Sequence, residues 1–226
     1  YRYVHSPLLY ACANGAELDV IKALLFHHRD RLTAQHDESY SFYCDQDDAS
    51  ACVWTPLHFA CMNGSCADIV RVLLAHFPWM ASVQENQEGR TPLHLAVVYG
   101  SGLDVVRALL EIDVVADVSD LSNLAVILDG NSRSALHLAC YYLADPTIVR
   151  TLLEACPEAA KYASLDGSFP LGEAICNGYE LTIVKNIALA NLKAIHAVGG
   201  LLPVKALPLY HELLADLKDY QHANHT

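Results

Sequence analysis

Apolar residues come in short bursts with helical spacing, each opened by a small polar or proline pair and closed near a glycine. Thr91-Pro92-Leu93-His94-Leu95-Ala96 is the clearest opening. Thr55-Pro56-Leu57-His58-Phe59-Ala60 and Ser134-Ala135-Leu136-His137-Leu138-Ala139 copy it. Ser6-Pro7-Leu8-Leu9-Tyr10-Ala11 and Phe169-Pro170-Leu171-Gly172-Glu173-Ala174 are weaker copies. A Thr or Ser hydroxyl accepts an otherwise unpaired N–H of the first helical turn. Proline suits the first helical position, where its missing N–H would lack a partner anyway. Leu and Ala then fall on one inward face. Asn14-Gly15, Asn63-Gly64 and Asn177-Gly178 read as helix stops in which glycine takes the left-handed conformation, with Tyr99-Gly100 close to them.

A second burst follows at a fixed distance. Asp19-Val20-Ile21-Lys22-Ala23-Leu24-Leu25 recurs as Asp68-Ile69-Val70-Arg71-Val72-Leu73-Leu74 and as Asp104-Val105-Val106-Arg107-Ala108-Leu109-Leu110. Later versions begin at Thr147 and Thr182. From Leu8 to Asp19, Leu57 to Asp68, Leu93 to Asp104, Leu136 to Thr147 and Leu171 to Thr182 the offset is always 11. The pattern predicts five helix pairs, over 6–15 and 19–27, 55–64 and 68–76, 91–100 and 104–112, 134–143 and 147–155, and 170–178 and 181–190. Phe77-Pro78-Trp79 and Cys156-Pro157-Glu158 break the second and fourth pairs. Long connectors are expected over 29–53 and 113–131, both acidic. The first also carries Tyr40, Phe42 and Tyr43, and the second an apolar Leu124–Leu128 run that suits a hairpin strand or an extra packed turn.

These openings, the second helix and the recurring spacing resemble the ankyrin-repeat family. The resemblance covers residues 1–200 and implies an all-α fold, a solenoid of stacked helix-turn-helix units joined by hairpin loops, with repeats near 1–28, 53–82, 88–116, 131–160 and 166–195. Residues 201–226, with Leu209, Leu213, Leu214 and Leu217 at helical spacing, form a capping helix or a degenerate sixth repeat, since a stacked array otherwise ends on an apolar face. The chain departs from the family in its long connectors, with successive openings 49, 36, 43 and 35 residues apart at Leu8, Leu57, Leu93, Leu136 and Leu171. The histidine is also replaced by Leu9 and Gly172 in the end copies. The resemblance implies a structural role for His58, His94 and His137. It implies protein–protein recognition through the concave first-helix surface and the hairpin tips. The matching positions are Trp54, Met62 and Asn63; Arg90, Val98 and Tyr99, with Gln87 and Glu88 at the loop tip; and Arg133, Tyr141 and Tyr142. Tyr, Trp and Arg are the types in which interface energy concentrates.

Charge narrows the partner. Lys and Arg number 14 against 26 Asp and Glu, a net charge of −12. Nucleic-acid backbones and anionic membrane surfaces both need cations on the protein, so neither is expected. A partner protein with a basic segment is. No uncharged apolar run approaches the ~18 residues of a membrane span. No signal peptide is evident, and a chain beginning at Tyr1 reads as a piece of something longer. Of eight cysteines, Cys12, Cys61 and Cys140 share one repeat position with Val97, which marks it as an apolar core site. No C-x-x-C spacing of a zinc site occurs. A reduced, intracellular protein follows, cytoplasmic or nuclear. One histidine per repeat makes a row rather than a cage, so no metal is expected. No phosphate loop, nucleophile elbow or H-E-x-x-H is present, so neither cofactor nor catalysis is expected. The alternative is a docking or regulatory part of a larger enzyme.

Overall fold

The computed structural model describes residues 7–32, 54–111, 124–200 and 202–224. Much of the connectors expected over 29–53 and 113–131, including Cys44 and Cys52, lies outside the described residues. Regular structure among the described residues is α-helix and 3-10 turn, with no strand. The helices are α1 (Pro7–Ala13), α2 (Leu18–Leu32), α3 (Pro56–Met62), α4 (Ala67–His76), α5 (Pro92–Val98), α6 (Leu103–Leu110), α7 (Ala135–Tyr141), α8 (Pro146–Ala155), α9 (Pro170–Cys176), α10 (Leu181–Ala190), α11 (Leu192–Gly199) and α12 (Leu207–Asn224). They fall into two compact units, 1–130 and 131–226.

In the first unit α1, α3 and α5 lie side by side, and α2, α4 and α6 form a second layer behind them. Leu8, Ile21, Leu57, Leu73, Leu93 and Leu109 fill the space between the layers and are fully buried. In the second unit α7 packs on α9 and α8 on α10. Each first helix is only seven residues long. Helices that short are not stable alone, so packing against the neighbouring repeat makes them.

The openings behave as capping boxes with histidine in the role usually taken by Glu or Gln. His58 Nδ1 accepts the Thr55 N–H at 3.1 Å and lies 2.8 Å from Thr55 Oγ1. The Thr55 hydroxyl in turn accepts the His58 N–H at 3.4 Å. With Nδ1 accepting, the proton sits on Nε2, which donates to the Arg90 carbonyl at 3.3 Å in the next repeat. His94 repeats the bond to Thr91 N–H at 3.2 Å, and His137 that to Ser134 N–H at 3.2 Å. All three rings are buried, in the structural role the resemblance implies.

The helix stops do more than stop. Gly15, Gly64, Gly100 and Gly178 take φ of 66°, 64°, 67° and 73°. The preceding asparagines staple repeats together. Asn63 Nδ2 donates to Cys12 O at 3.0 Å and Ala13 O at 2.8 Å, and Asn177 Nδ2 to Cys140 O at 3.0 Å. Where Tyr99 replaces the asparagine, the Ser101 hydroxyl bonds the equivalent carbonyl of Cys61. Asn14 bonds back to its own helix, at Tyr10 O, 2.8 Å away. The fourth turn has Leu143 at φ 56° in place of glycine. The left-handed region costs a residue with a Cβ about 1–2 kcal/mol.

The prolines that break the second helices open 3-10 turns, Pro78–Ala81 and Pro157–Lys161, which tuck Met80, Ala81, Ala159 and Ala160 into the core. Of the two forms expected for the Leu124 run, the packed turn is observed: Leu124–Val126 is 3-10 with Leu124 and Ala125 buried. The expectation of one helix over 181–190 holds, but α11 follows it directly, bent by 114°. Asn191 makes the corner, its Nδ2 donating to Ala160 O at 2.9 Å and its Oδ1 accepting the Ala194 N–H at 3.3 Å. α12 lies on α10 with Tyr210, Leu213 and Leu217 buried. The Tyr210 hydroxyl donates to Ile195 O at 2.9 Å, passing over Gly199, where a Cβ would come within 2.6 Å of the ring.

Candidate functional site

The first-helix ends and loop tips of each unit carry the residues singled out in the sequence. In the first unit α3 and α5 are adjacent, so Met62 and Val98, at the same repeat position, are equivalent points on neighbouring helices. Both are half-buried, and Tyr99 beside Val98 is 52% exposed. Trp54 is half-buried, its ring 5.2 Å from Phe59 and 5.7 Å from His58. Part of that ring is therefore committed to its own chain. Asn63 is exposed, but its amide is taken by the staple to α1. Arg90 is 8% exposed: its guanidinium pairs with Glu88 at 2.5 Å and its carbonyl receives His58.

The loop tip holding Gln87 and Glu88 is built by a residue outside the repeat motif. Glu85 is buried, and its carboxylate accepts the N–H groups of Gln87 at 2.6 Å, Glu88 at 2.9 Å and Arg90 at 3.0 Å. Gln84 then ties the loop to the 124–130 segment, donating to Gly89 O at 2.6 Å and Leu128 O at 2.8 Å. Gly89 and Gly130 pass so closely that a Cβ on Gly89 would lie 2.8 Å from Gly130 N. Gln87 and Glu88 remain exposed on this rigid frame. The signal was present as an acidic residue four before a glycine, a spacing that lets one carboxylate cap a tight loop.

In the second unit Tyr141 and Tyr142 are 52% and 44% exposed, their rings edge to face at 5.0 Å. Arg133 is half-buried at the other end of α7. Its guanidinium acts on Glu173 of α9, a half-exposed carboxylate absent from the sequence-based set. Burial pushes the Glu173 carboxyl up; Ser168 and Arg133 pull it down, and the neighbouring Asp166 charge pushes it up again. Asp166 itself is held low by the Ser164 hydroxyl and the Ser168 N–H and hydroxyl. Glu173 takes the register that Leu95 and Leu138 hold elsewhere, a break in the apolar pattern that could have flagged it.

No group of three His, Cys, Asp or Glu among the described residues could hold a metal ion. Cys12, Cys61 and Cys140 are buried as apolar groups, and burial pushes all three thiols up, Cys12 to about 12. Such thiols are inert rather than nucleophilic. No single helix among the described residues is long and apolar enough to cross a membrane.

A family model described as ankyrin repeats, in three copies, matches residues 8–120. No curated protein matches the chain. The matched span holds α1 to α6, whose paired helices, capping histidines at α3 and α5 and positive-φ glycine turns carry the pattern; the α7–α8 and α9–α10 pairs repeat its register, with Leu143 in place of one glycine and Gly172 in place of one histidine. Repeats of this kind are protein–protein interaction modules, and the repeat domain has no catalytic machinery of its own. With five helix pairs in one register, three of them opened by a capping box, and the family model matching half of the chain, the chain belongs to the ankyrin-repeat family.

Proposed function

We propose that this chain binds a basic segment of a partner protein on its first-helix ends and loop tips. The observation that carries the reading is three exposed tyrosines, Tyr99, Tyr141 and Tyr142, set at helix ends of a chain with net charge −12. Each leaves a large part of its ring open to a partner. They are the usual anchors of an interface. In the first unit Met62, Val98 and the outer part of Trp54 extend the apolar contact of Tyr99, with Gln87 and Glu88 as polar groups at its loop tip; in the second unit Arg133 is the polar group at the far end of α7 from Tyr141 and Tyr142. Asn63 and Arg90 act by positioning, since the Asn63 amide is spent on α1 and the Arg90 guanidinium is paired with Glu88. Acidic groups around the anchors raise the encounter rate with a cationic segment and fix its register. We infer also that residues 1–200 are the recognition domain and that 201–226 cap it. Thiols used as core apolar groups fit a reducing, intracellular compartment.

A displayed library of linear peptides, selected on the purified chain, tests the reading. Selected sequences should be enriched in Lys and Arg. Tyr99→Ala with Tyr141→Ala should weaken the best of them by about 2 kcal/mol or more without changing the melting temperature. Enrichment without basic residues, or unchanged affinity in the double variant, contradicts it.

A further inference from the structure

The turn between α7 and α8 has the same backbone as its four counterparts and a different side chain. Each turn is closed by one bond of the same register: Ala16 N–H to Ala11 O at 2.9 Å, Ser65 to Ala60 at 3.0 Å, Ser101 to Ala96 at 2.9 Å, Ala144 to Ala139 at 2.9 Å and Tyr179 to Ala174 at 3.1 Å. Four of the turns place glycine in the left-handed conformation, and this one places Leu143 there. A bulky residue with φ of 56° is strained, and strain of this kind points toward function when nothing nearby rewards it. Leu143 is 60% exposed, so its side chain gains little from the core. Beside it stand the exposed rings of Tyr141 and Tyr142.

The turn is also held rigid and negatively charged. Asn177 donates to Tyr141 O at 3.3 Å as well as to Cys140 O, and the Tyr179 hydroxyl lies 2.7 Å from Ala144 O and 2.9 Å from Ala139 O, sharing its proton. Asp145 closes the turn. Its Oδ1 accepts the Thr147 hydroxyl at 2.6 Å and the Thr147 N–H at 2.8 Å, and these bonds hold the carboxyl below the usual range. Oδ2 makes no hydrogen bond among the described residues and faces solvent with the rest of the side chain. Between Arg133 and Arg150 the chain has no lysine or arginine.

We propose that the Tyr141–Asp145 turn is a docking site for an arginine side chain of the partner protein. Each part of arginine has a counterpart here. The guanidinium plane stacks on a tyrosine face, its fork reaches the open Asp145 oxygen, and its methylenes cover Leu143. Lysine has methylenes to cover Leu143 and a charge for the carboxylate, but its compact, strongly hydrated ammonium has no plane to stack on a ring and no fork. The proposal rests on the reading of the chain as a binder of basic segments and adds to it a residue, Leu143, and a preference for arginine over lysine.

An NMR titration of the full chain with a short acetylated arginine peptide, its lysine counterpart and its citrulline counterpart tests it. The arginine peptide should shift the amides of residues 141–145 and bind at least about fivefold more tightly than either analogue. Leu143→Gly, Tyr142→Ala and Asp145→Asn should each weaken it about fivefold or more, while Leu143→Gly should raise the urea midpoint of the chain. Equal binding of lysine and arginine, binding untouched by Leu143→Gly, or a lowered midpoint in that variant would overturn it. If the arginine peptide responds to Tyr99→Ala but not to Leu143→Gly, the broader reading stands and this turn does not belong to the site. A peptide that binds nowhere overturns the arginine assignment, and the library selection then decides the broader reading separately.

Discussion

The most quantitative consequence of the fold concerns His58. Its ring is buried and neutral, with Nδ1 committed to Thr55 and Nε2–H to the Arg90 carbonyl of the next repeat. Burial is the main cause that pushes its pKa down to about 4, against smaller opposing pulls from the Arg90 carbonyl, the Glu85 charge and the Val83 carbonyl. The unfolded chain protonates this histidine near the ordinary 6.5, so between pH 6.5 and 4 it binds more protons than the folded one. Stability is therefore fully present above pH 6.5 and is lost as pH falls toward 4, where the folded form also protonates. At roughly 1.4 kcal/mol per pH unit, the loss from this one ring is about 2 kcal/mol by pH 5. His58→Gln isolates it. Glutamine can still accept the Thr55 N–H, as in an ordinary capping box, but it does not titrate and removes one of the two donors to the Arg90 carbonyl, which keeps the Glu85 N–H at 2.9 Å, at a cost of about 1 kcal/mol. Urea unfolding followed by circular dichroism should show the variant weaker by about 1 kcal/mol at pH 7 and stronger than the parent by about 1 kcal/mol at pH 5. A gap that stays constant from pH 7 to pH 5 would refute the assigned tautomer and its burial.

Other outcomes follow from single contacts. Asn63→Ala removes the two staples to α1 and should lower stability by about 1 kcal/mol, read as a lower urea midpoint. Asn14→Ala, whose amide bonds only its own helix among the described residues, should cost less in the same assay. Gly199→Ala should destabilise the second unit by about 2 kcal/mol, because the added Cβ meets the Tyr210 ring; amide exchange in α12 should accelerate. Gly89→Ala is strained twice, by φ of 66° and by the approach of Gly130, and should raise exchange in residues 85–90.

The repeat architecture was legible because each element carries its own local code. Pro56 and Pro92 at first helical positions, the Thr–His pairs and the Gly64 and Gly100 stops each act within one turn of chain. The positions of Tyr99 and Tyr141 were legible for the same reason, since repeat register fixes which helix end a residue occupies. What the pattern could not carry was long-range bonding. That Asn63 would spend its amide on Cys12, that Arg90 would fold under Glu88, and that Glu85 would organise a loop all depend on partners that pairwise spacing does not name. α11 was missed because Asn191 looks like an ordinary helix end, and its bond to Ala160, which makes the corner, lies 31 residues away.

What matters most is where a basic peptide touches the chain. Amide exchange of the chain, measured with and without the tightest peptide from the library, reports that contact directly. Protection should appear at residues 85–90, at Val98–Gly100 and at Tyr141–Asp145, with the outer helices α4, α6 and α8 unchanged. Protection confined to α12 or to those outer helices, with the tyrosine-bearing ends exchanging as before, would contradict it.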